Sequence, residues 1–439
     1  MNTETQGVYI STYGCQMNVN DSERMYSLLE MMNYTPVPSP EMASLIIINS
    51  CSVREKPVHK VHSEAGRYRK LKLKNPNLKI GVGGCVAQQE KSQLLKDVPV
   101  LDFVFGTDAI DQLPEIVRKA TQDKERVVEA RFEHAKPYHV ETMVRNPGVS
   151  TFVNITKGCD NFCTFCVVPF TRGRERSRPL SHLLKDIQAL TARGVQEVTL
   201  VGQNVNSYTS DCGAGFGELM RAVAEKTDVK RIRFTTPHPK DFNRDLMQIM
   251  QDHRDKVMDY IHLPLQSGNT EVLKRMNRGY TREEFIEKAN MILESMPGAS
   301  LSTDIIVGFP GETEEQFQDT LKMLDEVPFE SIFAFKYSPR PFTKAARWEE
   351  QLSDAEKSDR LTRLLEKHKE LSFKLALRYQ GETLKILVED FYEDSNRCTG
   401  RSTQNKLTHF KGSKDLVGKI VDVKIYEAFP QTLRGDLVQ

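Results

Sequence analysis

Three cysteines stand at C-x3-C-x2-C spacing near the middle of the chain, at Cys159, Cys163 and Cys166. Thiolates are soft ligands that bind zinc or iron–sulfur clusters, and this spacing lets one tight loop supply three ligands to a cubane. A tetrahedral zinc site needs a fourth ligand close by, whereas the next four residues, Val-Val-Pro-Phe, supply none. The alternatives are a zinc knuckle and a redox C-x-x-C formed by the last two cysteines, which leaves Cys159 without a role.

Three further cysteines each follow a predicted strand in the first hundred residues. The predicted strands are 8–12, 45–48 and 79–82, with helical patterns at 21–32 and 58–73 between them, and Asp21 is the expected N-cap of the first helix. Because the carboxyl ends of parallel strands meet at one edge of a sheet, the three thiols are expected to converge there as a second cluster site. Their burial as ordinary core residues is the alternative. The cysteines are Cys15, Cys51 and Cys85.

Helix and strand patterns alternate from the cysteine loop to about residue 348. Predicted strands at 195–201, 231–235, 260–265, 301–307 and 331–337 join the strand before Cys159 in six βα-like units, which predicts a partial parallel barrel. Active groups of such barrels cluster at the C-terminal strand ends. His238 is interpreted as a positioned core residue, since no second histidine stands at ligand spacing. The polar residues expected at the strand ends are Gly202, Gln203, Asn204, Gln266, Ser267 and Asp304.

The last sixty residues differ in pattern from the rest of the chain. A long amphipathic helix at 353–379 precedes short strands at 384–388, 398–400 and 417–425, which predicts a small β-barrel of the OB type. A basic patch with an aromatic residue fits RNA recognition, and a solvated loop is the alternative. The expected RNA-binding residues are Arg397, Arg401, Lys406, Lys411 and Lys414. A second basic run at 54–79 is interpreted equally as a solvated helix face or a phosphate-tracking surface.

Length and composition set the broad class. The 439 residues suffice for about three domains, the net charge is +1, and no apolar run approaches the length of a membrane span. The polar start lacks the features of a secretory signal, so we expect a cytoplasmic, reducing compartment that favours metal-bound thiols. The domain boundaries expected from the patterns are 1–121 for the N-terminal domain, 122–148 for a linker, 149–379 for the barrel and 380–439 for the small β-barrel.

The cysteine loop, with Phe165 before its last thiol, resembles the signature of the radical S-adenosylmethionine (SAM) enzymes. Over essentially its whole length the chain resembles the methylthiotransferases, which combine an N-terminal domain with three cluster cysteines, a radical SAM domain and a C-terminal TRAM domain. The segments that carry this resemblance are 13–18, 49–55 and 84–88. The run 163–174 is most similar to the tRNA branch that acts on N(6)-isopentenyladenosine.

The resemblance implies an α/β protein with a partial (β/α)6 radical SAM barrel, two 4Fe-4S clusters, and two SAM molecules per turnover. One SAM supplies a methyl group to sulfur at the auxiliary cluster of Cys15, Cys51 and Cys85. The other is cleaved at the Cys159, Cys163 and Cys166 cluster, and its radical activates carbon 2 of the adenine beside the anticodon. It also implies SAM contacts from Phe165 and from the polar strand-end residues, tRNA as partner, and an external sulfur source and electron donor. We expect a monomer without membrane contact.

Two alternatives to this function remain. The same chemistry acts on threonylcarbamoyladenosine in tRNA or on a ribosomal-protein aspartate in other branches of the family. An iron–sulfur RNA-binding protein without catalysis is an alternative of another class. One departure from the family pattern is the loop after the last barrel strand, where Phe342 and Lys344 replace the usual glycine and proline. Phenylalanine adopts a positive φ less easily than glycine, so the conformation of this loop is open.

Overall fold

The computed structural model describes residues 6–52, 55–132, 138 and 141–438, with only the backbone of 55–57. Part of the predicted polar start, and Val53 and Arg54 of the second family motif, lie outside these residues. The strands, in chain order, are β1 Gln6–Tyr13, β2 Tyr34–Pro36, β3 Leu45–Ser50, β4 Lys79–Gly84, β5 Phe103–Phe105, β6 Val127–Glu129, β7 Ser150–Asn154, β8 Thr156–Lys157, β9 Arg176–Ser177, β10 Glu197–Val201, β11 Arg231–Phe234, β12 Tyr260–His262, β13 Ser300–Val307, β14 Phe329–Lys336, β15 Thr383–Tyr392, β16 Arg397–Arg401, β17 Leu407–Lys411, β18 Ile420–Ala428 and β19 Thr432–Leu437.

The α-helices of the described residues range from a single turn to more than six turns. They are α1 Gln16–Glu30, α2 Glu55–Lys74, α3 Cys85–Glu90, α4 Ser92–Asp97, α5 Leu113–Arg118, α6 Val168–Thr171, α7 Leu180–Ala192, α8 Phe216–Lys226, α9 Arg244–Asp252, α10 Thr270–Arg275, α11 Arg282–Ser295, α12 Glu314–Glu326 and α13 Asp354–Ala376. Across the described part of the chain, no helix combines the length and the apolar character that crossing a bilayer requires.

The chain forms two compact units, and the first is assembled from three separate segments. It comprises Met1–Asn146, Thr156–Arg176 and Arg340–Ala346. Its centre is a six-stranded parallel sheet in the order β2-β1-β3-β4-β5-β6. The central strand β3 is buried along its whole length, as expected for a parallel strand covered on both faces. The predicted parallel α/β sheet is therefore confirmed, and β6, within the stretch expected to be a linker, forms one of its two edge strands.

The first helix begins earlier than its sequence pattern predicts. Helix α1 starts at Gln16 with Cys15 at the N-cap position, so Asp21 lies inside the helix, where it is buried. The prediction that Asp21 is an N-cap was wrong because residues 16–20 extend the helix by more than a turn toward the strand end. An aspartate inside a helix needs a partner when it is buried, and this partner proves central to the site described below.

The second unit contains the predicted partial barrel and the C-terminal domain. It comprises Pro147–Ile155, Ser177–Pro339 and Arg347–Gln439. Three parallel strands in the order β11-β10-β7 and three in the order β12-β13-β14 are linked by a parallel bridge between Ile232 and Val257. These six strands confirm the partial (β/α)6 barrel. The last five strands close in the order β15-β16-β17-β19-β18, which confirms the small C-terminal β-barrel.

Within the second unit, the C-terminal β-barrel is joined to the partial barrel by two buried arginines of β11. Ile232 and Phe234 of this strand are buried, and Phe234 packs edge-on against Phe216 of helix α8. Side chains alternate along a strand, so Arg231 and Arg233 point to the opposite, inner face of the barrel.

Both guanidinium groups donate to backbone carbonyls at the turn between β16 and β17. Arg231 donates to the carbonyl oxygen of Arg401 (2.7 Å), and Arg233 donates to those of Ser402 (2.7 Å) and Thr403 (3.0 Å). Arg233 also forms a buried ion pair with Glu197 (2.9 Å). Because β11 begins at Arg231, this turn covers the inner face at the N-terminal ends of the strands and leaves the C-terminal ends for the site.

Replacement of Arg233 by Ala is expected to destabilise the protein by about 3–5 kcal/mol, because it leaves Glu197 buried without its counter-charge and removes two bonds to the turn. Thermal and denaturant unfolding would measure the loss. The matched control is Arg434→Ala, which breaks an exposed ion pair with Glu427 and is expected to cost less than about 1 kcal/mol. Equal losses of stability from the two substitutions would contradict the attachment of the C-terminal β-barrel to the partial barrel through Arg233.

Candidate functional site

The three N-terminal cysteines follow three strands that lie side by side in the parallel sheet. Tyr13, Ser50 and Gly84 end β1, β3 and β4 and stand in register with one another. Cys15 and Cys51 follow the first two strands by one or two residues, and Cys85 opens helix α3. The three thiols therefore meet at the carboxyl edge of the sheet, where parallel α/β sheets place their ligand sites.

Two glycines allow the strand ends to approach so closely. Gly14 has φ +145°, and a β-carbon there would lie 2.4 Å from the β-carbon of Cys51. Gly84 has φ +87°, and a β-carbon there would lie 2.4 Å from Oδ1 of Asn49. Only glycine combines these backbone angles with such short approaches. The close approach of the strand ends is thus a direct steric reason for the glycine in each of these two family motifs.

An asparagine network holds the loops that carry Cys15 and Cys51. Asn18 Nδ2 donates to Asn49 Oδ1 (3.1 Å), and Asn49 Nδ2 donates to the Asn18 carbonyl oxygen (2.8 Å) and to Ser22 Oγ (2.8 Å). Asn18 Oδ1 also accepts from Cys15 Sγ (3.4 Å). All three partners of this network are buried, so the strand ends are fixed before any ligand binds.

The three thiols interact with one another through Cys51, which stands between the other two. Hydrogen bonding from Cys51, followed by the charge of Arg172, lowers the pKa of Cys15 to about 6 and that of Cys85 to about 7, against the opposing effect of burial. The same hydrogen bonds to Cys15 and Cys85 raise the pKa of Cys51. Two of the three groups therefore favour the thiolate form, which is the form that binds metal.

The positive charge beside these thiols comes from the cysteine loop of the middle of the chain. Arg172 is 2% exposed, and its Nη2 donates to Asp21 Oδ2 at 2.8 Å. Burial disfavours the charged guanidinium, yet Cys85, Asp21 and Cys15 together raise the pKa of Arg172 above its ordinary value. A permanently charged arginine thus lies beside the N-terminal thiols, only six residues after Cys166.

Further contacts fix the C-x3-C-x2-C loop to the same sheet edge within the first unit. Thr107 Oγ1 donates to the Thr171 carbonyl oxygen (2.8 Å), and Lys157 Nζ donates to the Thr107 carbonyl oxygen (2.7 Å). Asp108 forms ion pairs with Lys157 and with Arg176 (2.8 Å to the latter). Burial lowers the pKa of Lys157 to about 8, and the Asp108 carboxylate opposes that shift. The two sets of three thiols therefore belong to one compact unit.

The second set of thiols is carried by a tight loop. Cys166 N donates to the Cys163 carbonyl oxygen (3.0 Å), which forms a turn inside the loop, and Cys159 N donates to the Gly173 carbonyl oxygen (3.2 Å), which joins the ends of the loop. Burial raises the pKa of Cys159 to about 11. Phe165, the predicted SAM contact, lies half-buried between Thr164 and Cys166.

The donor sets fit iron–sulfur clusters, because each consists of three thiols and such clusters are held by cysteine thiolates. In a cluster each thiolate binds a different iron atom. All eight cysteines lie within the described residues and are thiols. Each set supplies three soft donors, and the N-terminal set also has a buried counter-charge.

The predicted SAM-binding residues other than Phe165 are divided between two places in the second unit. Asn204 donates to Asp241 Oδ2 (2.9 Å) and accepts from the His238 backbone N–H (3.2 Å), just after β10. Gly202 accepts from the Thr236 hydroxyl (2.9 Å), and Gln203 is half-buried beside it. His238 has its pKa lowered to about 2 by burial, so it is a neutral core residue as predicted.

The other three predicted residues lie at β12 and β13. Gln266 has φ +72° and exchanges backbone hydrogen bonds with Asp304 (2.8 Å) and Ile306 (2.9 Å). Ser267 is buried next to Thr320. Asp304 lies inside β13 instead of at its end, because the strand continues to Val307, and its carboxylate is 3.4 Å from Nε2 of His262.

One of the five predicted RNA-binding residues is buried. Lys406 is 5% exposed, and it forms an ion pair with Glu330 (2.7 Å) and donates to the Pro430 carbonyl oxygen (2.9 Å). Its inclusion in the RNA-binding set is corrected, because a lysine committed to a buried carboxylate does not reach phosphate. Arg397, Lys411 and Lys414 are exposed and Arg401 is half-buried, and they remain predictions. Exposed cations of the other basic run, including Lys60 and Lys70, lie on α2.

The sequence alone did not indicate the residues that connect the two thiol sets. Asp21 and Arg172 are 151 positions apart, and Thr107 and Asp108 lie in an unremarkable loop after β5. The one available signal was the arginine-rich run 172–178 after the cysteine loop, in which Arg172 and Arg178 are buried.

Alkylation of the metal-free, reduced protein tests the thiol electrostatics. Cys15 is expected to react with iodoacetamide with a midpoint near pH 6, because Cys51 and Arg172 favour its thiolate. Arg172→Gln, combined with Asp21→Asn to keep a neutral buried pair, should raise this midpoint toward the ordinary value for cysteine. Peptide mass spectrometry between about pH 5 and 10 would give the midpoints.

Cys212 is the internal reference for that experiment, because it is exposed and lies outside the first unit. Its own profile should be the same in both proteins. An unchanged midpoint for Cys15 in the double variant would contradict the placement of Arg172 beside that thiol.

Three family models match the chain. They are the Radical SAM superfamily at residues 153–324, the Uncharacterized protein family UPF0004 at 7–106, and the TRAM domain at 377–438. Among solved structures, a radical S-adenosylmethionine methyltransferase, TsrM from Kitasatospora setae, has a TM-score of 0.58 at 13% identity and covers 78% of this chain and 74% of its own. The cobalamin-dependent radical enzyme OxsB has a TM-score of 0.53 at 14% identity, over 84% and 56%. Both support the fold.

Two curated relatives match along almost their whole length, and both are named tRNA-2-methylthio-N(6)-dimethylallyladenosine synthase. The protein of Bdellovibrio bacteriovorus is 63% identical over 433 residues, which covers 99% of this chain and 96% of the relative. The protein of Carboxydothermus hydrogenoformans is 45% identical over 435 residues, which covers 98% and 99%. The predicted resemblance is thereby confirmed, and the chain belongs to the family of tRNA-2-methylthio-N(6)-dimethylallyladenosine synthases, which are radical SAM methylthiotransferases with a TRAM domain.

Proposed function

We propose that this protein converts N(6)-isopentenyladenosine at position 37 of tRNA, next to the anticodon, to its 2-methylthio derivative. The observation that carries the proposal is the presence of two complete sets of three thiols in one compact unit. A single cluster would suffice for radical formation, whereas insertion of sulfur requires a second site to deliver it. Membership of the family agrees with this division of labour.

We assign Cys159, Cys163 and Cys166 to the radical SAM cluster and Cys15, Cys51 and Cys85 to the auxiliary cluster. When bound, the clusters and two SAM molecules supply the adenosyl radical, the sulfur and the methyl group, none of which a side chain can supply. The protein binds and orients these groups. Phe165, Gly202, Gln203, Asn204, Gln266, Ser267 and Asp304 are the proposed SAM contacts.

Arg172 is the proposed positioning residue between the two thiol sets. Its guanidinium is held by Asp21 and stays charged at any physiological pH, so it offsets the negative charge that three thiolates bring to a buried site. The contacts of Thr107, Asp108 and Lys157 fix the loop that carries Arg172 and the radical SAM cysteines. Movement of this loop would displace the radical SAM cysteines and the counter-charge of the N-terminal thiols together.

The C-terminal β-barrel is proposed to hold the RNA through four of its cations. Arg397 and Lys411 are opposite each other on the neighbouring strands β16 and β17, so they present paired positive charges on one surface. Arg401 and Lys414 complete the set. The sulfur source and the electron donor are external, and the protein is proposed to act as a cytoplasmic monomer.

A product assay tests the reaction and the substrate together. Anaerobically reconstituted protein, SAM and a chemical reductant would be incubated with tRNA that carries isopentenyladenosine and threonylcarbamoyladenosine without methylthio groups. Mass spectrometry of the digested nucleosides is expected to show a methylthio gain on the isopentenyl nucleoside alone. A gain on the threonylcarbamoyl nucleoside would contradict the proposed substrate, and a lack of 5′-deoxyadenosine would favour the non-catalytic alternative.

Selective loss of one thiol set tests the two cluster assignments. The triple replacement of Cys159, Cys163 and Cys166 by Ala should retain about half of the iron and sulfide and form no 5′-deoxyadenosine. The triple replacement of Cys15, Cys51 and Cys85 should retain the other half and still cleave SAM. Cys212→Ala is the matched control and should keep all of the iron. Complete loss of iron from either folded variant would contradict two independent sites.

A further inference from the structure

Two exposed phenyl rings lie together beside the radical SAM cysteine loop. Phe170 in helix α6 is 41% exposed and Phe342 is 52% exposed, and their ring centroids are 5.9 Å apart at an angle of 37°. Both residues belong to the first unit. We call them the phenyl pair. Large apolar side chains are seldom left this exposed in contact with each other unless a partner covers them.

The phenyl pair is fixed to the loop that carries the radical SAM cysteines. Phe170 follows Cys166 by four residues, and its backbone N–H donates to the Val167 carbonyl oxygen (3.0 Å). The segment of Phe342 is attached to the same loop, because the Ala345 N–H donates to the Thr164 carbonyl oxygen (3.0 Å). Thr164 lies between Cys163 and Cys166, so the rings are held within a few residues of two of the proposed cluster ligands.

The backbone at Phe342 carries a cost that the fold itself does not explain. Its φ is +71°, in the left-handed region that disfavours side chains with a β-carbon. The next residue, Thr343, is buried, and both its N–H (3.3 Å) and its hydroxyl (2.7 Å) donate to the Arg340 carbonyl oxygen, which holds the turn in this conformation. Backbone strain that persists at an exposed aromatic residue points to a role of that residue in binding.

An unpaired nucleobase is the occupant that matches this surface. Proteins recognise single-stranded loops of RNA by stacking bases on aromatic rings, and every base has a face that can stack. A cation that suits phosphate stands next to the pair in the chain: Lys344, two residues after Phe342, is exposed. These are the aromatic and basic groups that an anticodon loop requires.

We propose that the phenyl pair is a stacking platform for an unpaired nucleobase of the tRNA anticodon loop, adjacent to the target adenosine. The inference rests on the proposed function, since it takes tRNA as the substrate. The two rings are too close to admit a base between them, because their centroids are only 5.9 Å apart. The base therefore stacks on the outer face of Phe342, and Phe170 supports that ring from the other side.

Binding of an anticodon stem–loop to the reconstituted protein tests the platform. The probe is an RNA hairpin that carries isopentenyladenosine at the target position and 2-aminopurine at one neighbouring unpaired position at a time. Phe342→Gly is expected to weaken binding at least fivefold and to abolish the quenching of 2-aminopurine at one position. Phe342→Leu, which keeps bulk without an aromatic face, should behave similarly, whereas Phe342→Trp should restore both signals.

Folding and location are controlled in the same experiment. Phe342→Gly relieves the positive φ, so its melting temperature should equal or exceed that of the parent protein. Phe373→Ala removes a phenyl ring of comparable exposure, 49%, from helix α13 and should leave RNA affinity unchanged.

The outcomes separate this inference from the function on which it rests. Failure of the parent protein to bind the hairpin would contradict tRNA as the substrate. If the parent binds and Phe342→Gly binds equally well, only the platform is overturned. A loss of affinity that appears with isopentenyladenosine and disappears with unmodified adenosine would also overturn it, because the ring would then contact the isopentenyl group instead of a neighbouring base.

Discussion

The buried ion pair between the Arg172 guanidinium and Asp21 is the interaction on which the arrangement of the two thiol sets depends. Three thiols at the end of a parallel sheet repel one another as they ionise, and burial makes that repulsion stronger. The positive charge of an arginine, which is not lost by deprotonation, offsets this repulsion only when the guanidinium is itself desolvated and held in place. Asp21 holds the Arg172 guanidinium. The loop with the second set of thiols is therefore tied to the first set by electrostatics as well as by hydrogen bonds.

Much of the fold followed from periodicity and turn residues. The strands that precede Cys15, Cys51 and Cys85, and all six strands of the partial barrel, were predicted within a few residues of their bounds, because buried parallel strands are short apolar runs between glycine or polar residues. The strands at Leu407–Lys411 and Thr432–Leu437 were missed. Small β-barrels bury only alternate side chains, and their polar outer face leaves a weak signal.

The site was predicted only where its residue types are chemically unusual. Clustered cysteines indicate soft ligands whatever the fold. The residues that organise them, Asp21, Thr107 and Arg172, are of common types and meet only through the topology. The assignment of Lys406 to RNA failed for the same reason: a lysine in a basic run is expected on the surface, and its burial against Glu330 is set by tertiary packing.

The first unit is assembled from segments that lie far apart in the chain, and this has a consequence for biosynthesis. Cys85 leaves the ribosome 87 residues before Arg172, since 172 minus 85 is 87. At about 5–20 residues per second, the nascent sheet edge presents three thiols without their counter-charge for roughly 4–17 s. The segment Arg340–Ala346 arrives later still. Iron and sulfide delivered in that interval meet thiols that Arg172 does not yet neutralise, whereas those delivered to the finished chain meet thiols beside a fixed positive charge.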